Sequence, residues 1–152
     1  MRTVRDDEGT VYLLLRESAE SSLVRDPSTG ETRHLPNASL EPVSGKSPLS
    51  VAASSIPEPV RAVILTAHDE RALGLLVELV DRERVSAREL LDAVDLCESD
   101  LLGLVTEFRA AGLVREATVD GRRGYAVTDL ARRGIRHLRG EAGDDDGLPE
   151  NL

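Results

Sequence analysis

Residues 85–128 read VSARELLDAVDLCESDLLGLVTEFRAAGLVREATVDGRRGYAVT, and the order of start, stop and turn signals in this stretch decides the fold. Ser86 followed three residues later by Glu89 is a capping box, which satisfies free backbone N–H groups at a helix start. Leu90, Leu91 and Val94 give that helix its apolar face. Asp95, Leu96 and Cys97 make a three-residue turn. A second helix opening at Cys97 or Ser99 buries Leu101, Leu104, Val105 and Phe108, and Gly112 is a natural residue to end it. Leu113 and Val114 start a strand, residues 120–124 form a glycine-flanked hairpin tip, and Tyr125, Ala126 and Val127 return.

Working upstream, Asp69 can cap a longer helix with Leu73, Leu76, Val77 and Val80 on one face, widened by Leu75 and Leu79. Arg82 and Arg84 fall near its end, where cations suit the negative pole of the helix dipole. Before it, Pro59 suits a first turn, and Val60, Val63, Ile64 and Ala67 recur at helical spacing, so a short leading helix starts near Glu58. Downstream, Thr128 or Asp129 caps a last helix carrying Leu130, Ala131, Gly134, Ile135 and Leu138, for which the first long helix is the simplest cover. From residue 140 the chain ends in an acidic stretch without periodicity, expected to be disordered.

Residues 1–43 alternate in a strand-like way and are expected to form a small antiparallel β-meander or barrel. Its clearest turn is Asp26-Pro27-Ser28-Thr29-Gly30, where proline presets φ and Gly30 accepts a positive φ; a second joint is Asp7-Glu8-Gly9. So short a segment buries little by itself, so docking on the rest of the chain or on a partner is expected. Residues 44–57, rich in Ser, Pro and Ala, read as a linker with at most a helical turn at Leu49 to Ala53. The fold class is therefore α+β, with a helical and winged segment over 58–139 behind the meander.

Composition excludes several classes. No run approaches the roughly 20 apolar residues of a membrane span, and the N-terminus MRTVRDDEG is too charged for a secretory signal, so a cytoplasmic protein without membrane contact is expected. One cysteine, with His34, His68 and His137 scattered far from it, gives no metal-ligand spacing. Glycine-rich phosphate loops and hydrolase motifs are missing, so neither an enzyme nor a cofactor is expected. Cys97, taken as buried and flanked by acids, reads as structural and not as a redox sensor. Of 19 basic residues only Lys46 is lysine, against 28 acids and a net charge of -9. That bias resembles haloarchaeal proteins bathed in molar salt, with a high-GC actinobacterium as the alternative; in molar salt the Debye length shrinks to about 3 Å and acidity says little about partners.

Helix, capped helix, tight turn, a helix ending in GLV and a two-stranded wing with GRRGY at its tip resemble the winged helix-turn-helix domains of MarR-like and ArsR-like transcriptional regulators, over residues 69–139. The resemblance implies that the third helix of this domain lies in a major groove and the wing reaches a neighbouring minor groove. It places Glu98, Ser99, Asp100, Leu102, Gly103, Thr106 and Glu107 toward DNA. This sequence departs from the pattern there, for three of those residues are acidic and none is basic. Residues 69–111 hold eleven acids and five arginines, a net of -6, whereas 112–140 hold seven arginines and three acids, a net of +4.

Positive charge thus gathers on the wing and the last helix, where Arg132, Arg133, Arg136 and Arg139 form a basic face. Arg122 and Arg123 at the hairpin tip are placed to enter a minor groove, where arginine is favoured. The expectation is a DNA-binding transcriptional regulator acting on double-stranded DNA through Arg122 and Arg123, supported by Arg115, Ser99 and Thr106. The alternative is a non-catalytic adaptor for transcription, replication or translation machinery, packing a protein partner on Leu102. Leu130, Gly134, Ile135 and Leu138 are the candidate face for protein contact, including a homodimer.

Overall fold

The computed structural model describes residues 1–141, so from residue 142 on the acidic stretch expected to be disordered lies outside the described residues. The chain forms two compact units, residues 1–57 and residues 58 onward, each with its own sheet.

The first unit is an open antiparallel meander of β1 (Arg2–Arg5), β2 (Val11–Glu17), β3 (Ser21–Arg25), β4 (Thr32–Pro36) and β5 (Glu41–Pro42), followed by α1 (Pro48–Ala53). The strand order is β4-β3-β2-β1-β5, so β4 and β5 are free edges and the sheet does not close into a barrel. Aspartates set both turns: Asp6 Oδ1 accepts from the N–H groups of Glu8 and Thr10, and Asp26 Oδ1 accepts from the Ser28 N–H and hydroxyl. Those Ser28 hydrogen bonds favour the carboxylate and hold the Asp26 pKa below its ordinary value. Gly9 and Gly30 close the turns at φ 87° and 76°.

Strand alternation puts Val4, Tyr12, Leu14 and Val24 on one face of this sheet, where they form its core. Arg33, paired with Val24, lies 5.2 Å from the Tyr12 ring and donates to its hydroxyl. Burial raises the Tyr12 pKa. Leu13 is fully buried on the opposite face; its partner Thr3 donates to the Lys46 carbonyl just ahead of α1, and Val51 of α1 is buried. Residues 44–57, expected to be a linker, therefore carry a six-residue helix that covers part of the sheet, because Leu13 and Thr3 leave a face needing cover.

The second unit contains α2 (Glu58–Thr66), α3 (Glu70–Arg82), β6 (Arg84–Ser86), α4 (Ala87–Ala93), α5 (Glu98–Ala110), β7 (Val114–Val119), β8 (Arg122–Val127) and α6 (Asp129–Leu138). Side chains cap three helices: Asp69 accepts from the Ala72 N–H, Ser86 from that of Glu89 and Thr128 from that of Ala131. Such caps are worth about 1 kcal/mol each. Val85, Val114, Tyr125 and Val127 of the sheet meet Leu76, Leu79, Leu90, Leu101, Val105 and Phe108 of the helices in one core.

Three differences from the sequence expectation have physical causes. The buried face of α3 is Ala72, Leu75, Leu76, Leu79 and Val80, while Leu73 is exposed, so the stripe lies one residue earlier around the helix than the Leu73 set suggests. Arg84 is in a strand and not at a helix end: Glu83, with φ 62°, stops α3, and residues 84–86 pair with β8 in the sheet order β6-β8-β7. The cover over α6 is chiefly α2. Gly134 lies so close to Pro59 that an added Cβ would come within 2.3 Å of the Pro59 carbonyl oxygen.

Candidate nucleic-acid interface

The turn between α4 and α5 makes a helix-turn-helix, and α5 is its second helix. Leu101, Val105 and Phe108 bury its inner side. On the outer side, spacings of four, three and four residues put Ser99, Gly103, Thr106 and Ala110 in one exposed line. That midline is small and neutral. The acids stand at its flanks, where Asp100 pairs with Arg71 of α3 at 3.7 Å.

Neither hydroxyl of the line is idle. Thr106 Oγ1 donates to the Leu102 carbonyl at 2.7 Å, and Ser99 Oγ shares a hydrogen bond with Cys97 Sγ at 3.3 Å. A hydroxyl has one proton, so Thr106 as placed can accept from a base amino group but cannot donate to a phosphate. Cys97 is exposed, contrary to the sequence reading, because it sits in the turn at the N-cap of α5 ahead of the first buried residue.

Register separates the wing arginines. Arg84, Ala126 and Arg115 are opposed across β6, β8 and β7, as are Gly124 with Ala117 and Arg122 with Val119. These residues occupy the face turned away from the helical core, since Val85, Tyr125 and Val127 occupy the other. Arg84 reaches over β8 to donate to the Thr118 carbonyl. Among the described residues, Arg115 and Arg122 have no ion-pair partner.

Arg123 points the other way. Its Nη2 lies 2.9 Å from Glu116 Oε1, and Nη1 of Arg109, near the end of α5, lies 3.1 Å from that same oxygen. Arg122 and Arg123, expected side by side at the hairpin tip, therefore stand on opposite faces of β8, because successive residues of a strand face opposite sides. The basic face of α6 is also partly spent: Arg132 contacts Glu83 and Asp129, and Arg139 grips Asp81 through two 2.8 Å bonds. Exposed pairs of this kind are worth about 0–1 kcal/mol.

Of the residues expected to meet a protein partner, Gly134 and Ile135 are buried and Leu130 packs against the same core, so these three hold α6 to its own unit. Their surface is consumed by α2 and the core. Leu138 is exposed, as is Leu102, which lines a groove of about 470 Å³ with Leu91, Asp92, Glu98 and Tyr125. Sequence reasoning missed Arg84, Arg109 and Glu116, whose roles depend on strand register that no local pattern shows. Among the described residues no cluster of three His, Cys, Asp or Glu side chains is arranged to hold a metal, and no helix is long and apolar enough to cross a membrane.

Fold and surface together define a winged helix-turn-helix domain behind an antiparallel β-meander. The chain belongs to DUF7346, a family of unknown function, whose profile matches residues 1–139. Comparison with curated proteins gives no match. Among solved structures it is similar to TubR bound to 24 bp of tubC from Bacillus thuringiensis serovar israelensis pBtoxis, at 15% identity and a TM-score of 0.47, over 57% of this chain and 98% of that one. It is also similar to an ArsR family transcriptional regulator at 15% identity and a TM-score of 0.41, over 57% and 88% of the two chains. The ST1889 protein from the thermoacidophilic archaeon Sulfolobus tokodaii matches at 16% identity and a TM-score of 0.39, over 58% and 84%. At these identities and scores the likeness says nothing about what this chain binds.

Proposed function

We propose that this chain is a winged-helix transcriptional regulator that binds double-stranded DNA in the cytoplasm, anchored by the wing more than by α5. The observation that supports it best is the bare line Ser99, Gly103, Thr106 and Ala110 on the second helix of the helix-turn-helix, in a domain whose wing offers an exposed arginine, Arg122, without an ion-pair partner among the described residues. Phosphate contacts fix a protein on a duplex without reading sequence, and side chains at base edges supply specificity. With no basic side chain on that line and the Thr106 proton already committed, binding of modest sequence preference follows. Arg115 and Arg84, on the solvent face of the sheet, add positive potential around Arg122. Electrophoretic mobility shift of genomic fragments tests the reading; retarded duplex with the native chain, and weaker retardation with Arg122→Ala, supports it, and no retardation at any salt overturns it.

A homodimer completes this proposal. Ile64 and Leu65 of α2, Leu73 of α3 and Leu138 of α6 remain exposed on the second unit after its core is formed. A two-fold assembly would double the few arginine contacts and make binding avid. A mass of one protomer by light scattering at micromolar concentration would remove this part.

A second reading, a non-catalytic adaptor for transcription, replication or translation machinery, is favoured by the groove between α4 and α5. There Leu102 stands uncovered beside Leu91, with Asp92 and Glu98 on the rim. Affinity purification with and without nuclease separates the two readings. A stoichiometric protein that survives nuclease and is lost with Leu102→Glu supports the adaptor.

A further inference from the structure

Two guanidinium groups from different elements converge on a single oxygen at the junction of α5 and the wing. Arg109 comes from the last turn of α5 and Arg123 from the start of β8, and Glu116 Oε1 on β7 holds both. All three side chains are 42–69% exposed. Two positive groups around one negative oxygen leave a local excess of one positive charge, on the side of the sheet that also faces α5. Arg122 and Arg115, by contrast, lie on the other face.

A phosphodiester presents what these groups already hold, namely an anionic oxygen that accepts from the Arg123 guanidinium and lies within ion-pair distance of that of Arg109. We infer that Arg109 and Arg123 form a phosphate-binding pair of the nucleic-acid surface, and that Glu116 fills it as an internal stand-in for the phosphate until DNA arrives. The inference rests on the DNA-binding reading above and deepens it. The pair flanks the C-terminal end of the bare α5 line, so a backbone running past that line meets it. Because the carboxylate is exposed and tethered only by the weak pairing of a surface ion pair, a phosphate can displace it without unfolding any element. Glu116 then lowers affinity in the free protein and suppresses non-specific capture of polyanions.

The test uses the full chain and a fluorescein-labelled duplex, read by anisotropy from 0.05 to 1 M KCl. Glu116→Gln keeps the side-chain size and removes the charge. Removing one carboxylate that acts as a counter-ion steepens the dependence of log K on log salt by about one, a gain of up to roughly eightfold at 0.1 M. Glu70→Gln removes the same charge from the exposed start of α3, away from the residues placed toward DNA, and is the control for a general change in potential. Adding Arg123→Ala to Glu116→Gln must abolish the gain. Tighter binding by Glu116→Gln alone, reversed by Arg123→Ala, supports the inference. Equal gains for the two glutamate variants, or none for Glu116→Gln while the native chain binds, overturn it and leave the DNA reading standing. Failure of every variant, native included, to bind duplex overturns both.

Discussion

Arg122 and Arg123, adjacent in sequence, stand on opposite faces of β8: Arg122 opposes Val119 on the solvent side, and Arg123 reaches Glu116 at 2.9 Å on the side shared with the core. The two arginines therefore make unequal contributions. In the native chain Arg122 brings a whole positive charge to an approaching backbone, whereas that of Arg123 is already met by a carboxylate. Arg122→Ala is expected to make the salt dependence of duplex binding shallower by about one and to cost up to roughly eightfold in affinity at 0.1 M salt. Thr106→Val, which removes a hydroxyl already bonded within its own helix, is expected to change affinity by less than about twofold, as a hydroxyl without a phosphate contact contributes no counter-ion release. Anisotropy titration of both variants checks this, and a larger loss for Thr106→Val would return the recognition role to α5.

Gly134 is the tightest point between α6 and α2. An ideal Cβ there would lie 2.3 Å from the Pro59 carbonyl oxygen and 2.7 Å from Val63 Cγ2, and backbone cannot yield as a flexible side chain can. Gly134→Ala is expected to destabilise the fold by about 1–3 kcal/mol, an overpacking cost that outweighs alanine's better helix propensity. Chemical denaturation followed by circular dichroism gives the number.

Glu83 ends α3 at φ 62°, ψ -45°, a conformation that a Cβ disfavours. Glu83→Gly relieves strain of about 1–2 kcal/mol at the loss of one exposed contact to Arg132, worth at most about 1 kcal/mol. The same denaturation experiment is expected to show a higher midpoint for this variant, and a lower one would mean that the Arg132 contact outweighs the backbone strain.

Asp81 and Arg139 tie the ends of α3 and α6 through paired bonds. The Arg139 hydrogen bonds hold the Asp81 pKa below its ordinary value, and Asp81 raises that of Arg139. For a carboxylate with a depressed folded pKa, the stabilisation is fully present above the unfolded value, near 4, and is lost as pH falls through the lower folded value. Asp81→Asn is expected to lower the thermal midpoint at pH 7 and to approach the native midpoint at a pH well below the ordinary carboxylate range. Native and variant curves that stay equally separated down to that pH would assign the effect to something other than this charge.

Much of the second unit was legible because its signals are local. Asp69, Ser86 and Thr128 cap their helices as residue type and spacing indicate, Gly112 takes φ 76° after α5, and the wing pairs around Asp120-Gly121. The rest depends on contacts between distant residues. Strand β6 is three residues long, too short for an alternating pattern, and forms only because β8 lies beside it. Whether Leu73 or Ala72 faces the core depends on the neighbours of α3. The candidate site was half visible: composition located positive charge on the wing, but only register shows that Arg115 and Arg122 share one face while Arg123 and Arg109 meet at Glu116.

The most direct test of the central claim is equilibrium binding of a labelled random-sequence duplex by the full native chain across a series of KCl concentrations. The expected result is saturable binding whose log K falls linearly with log salt, with a shallower slope for Arg122→Ala. No saturable binding even at 0.05 M KCl, from protein shown by circular dichroism to be folded, would contradict it.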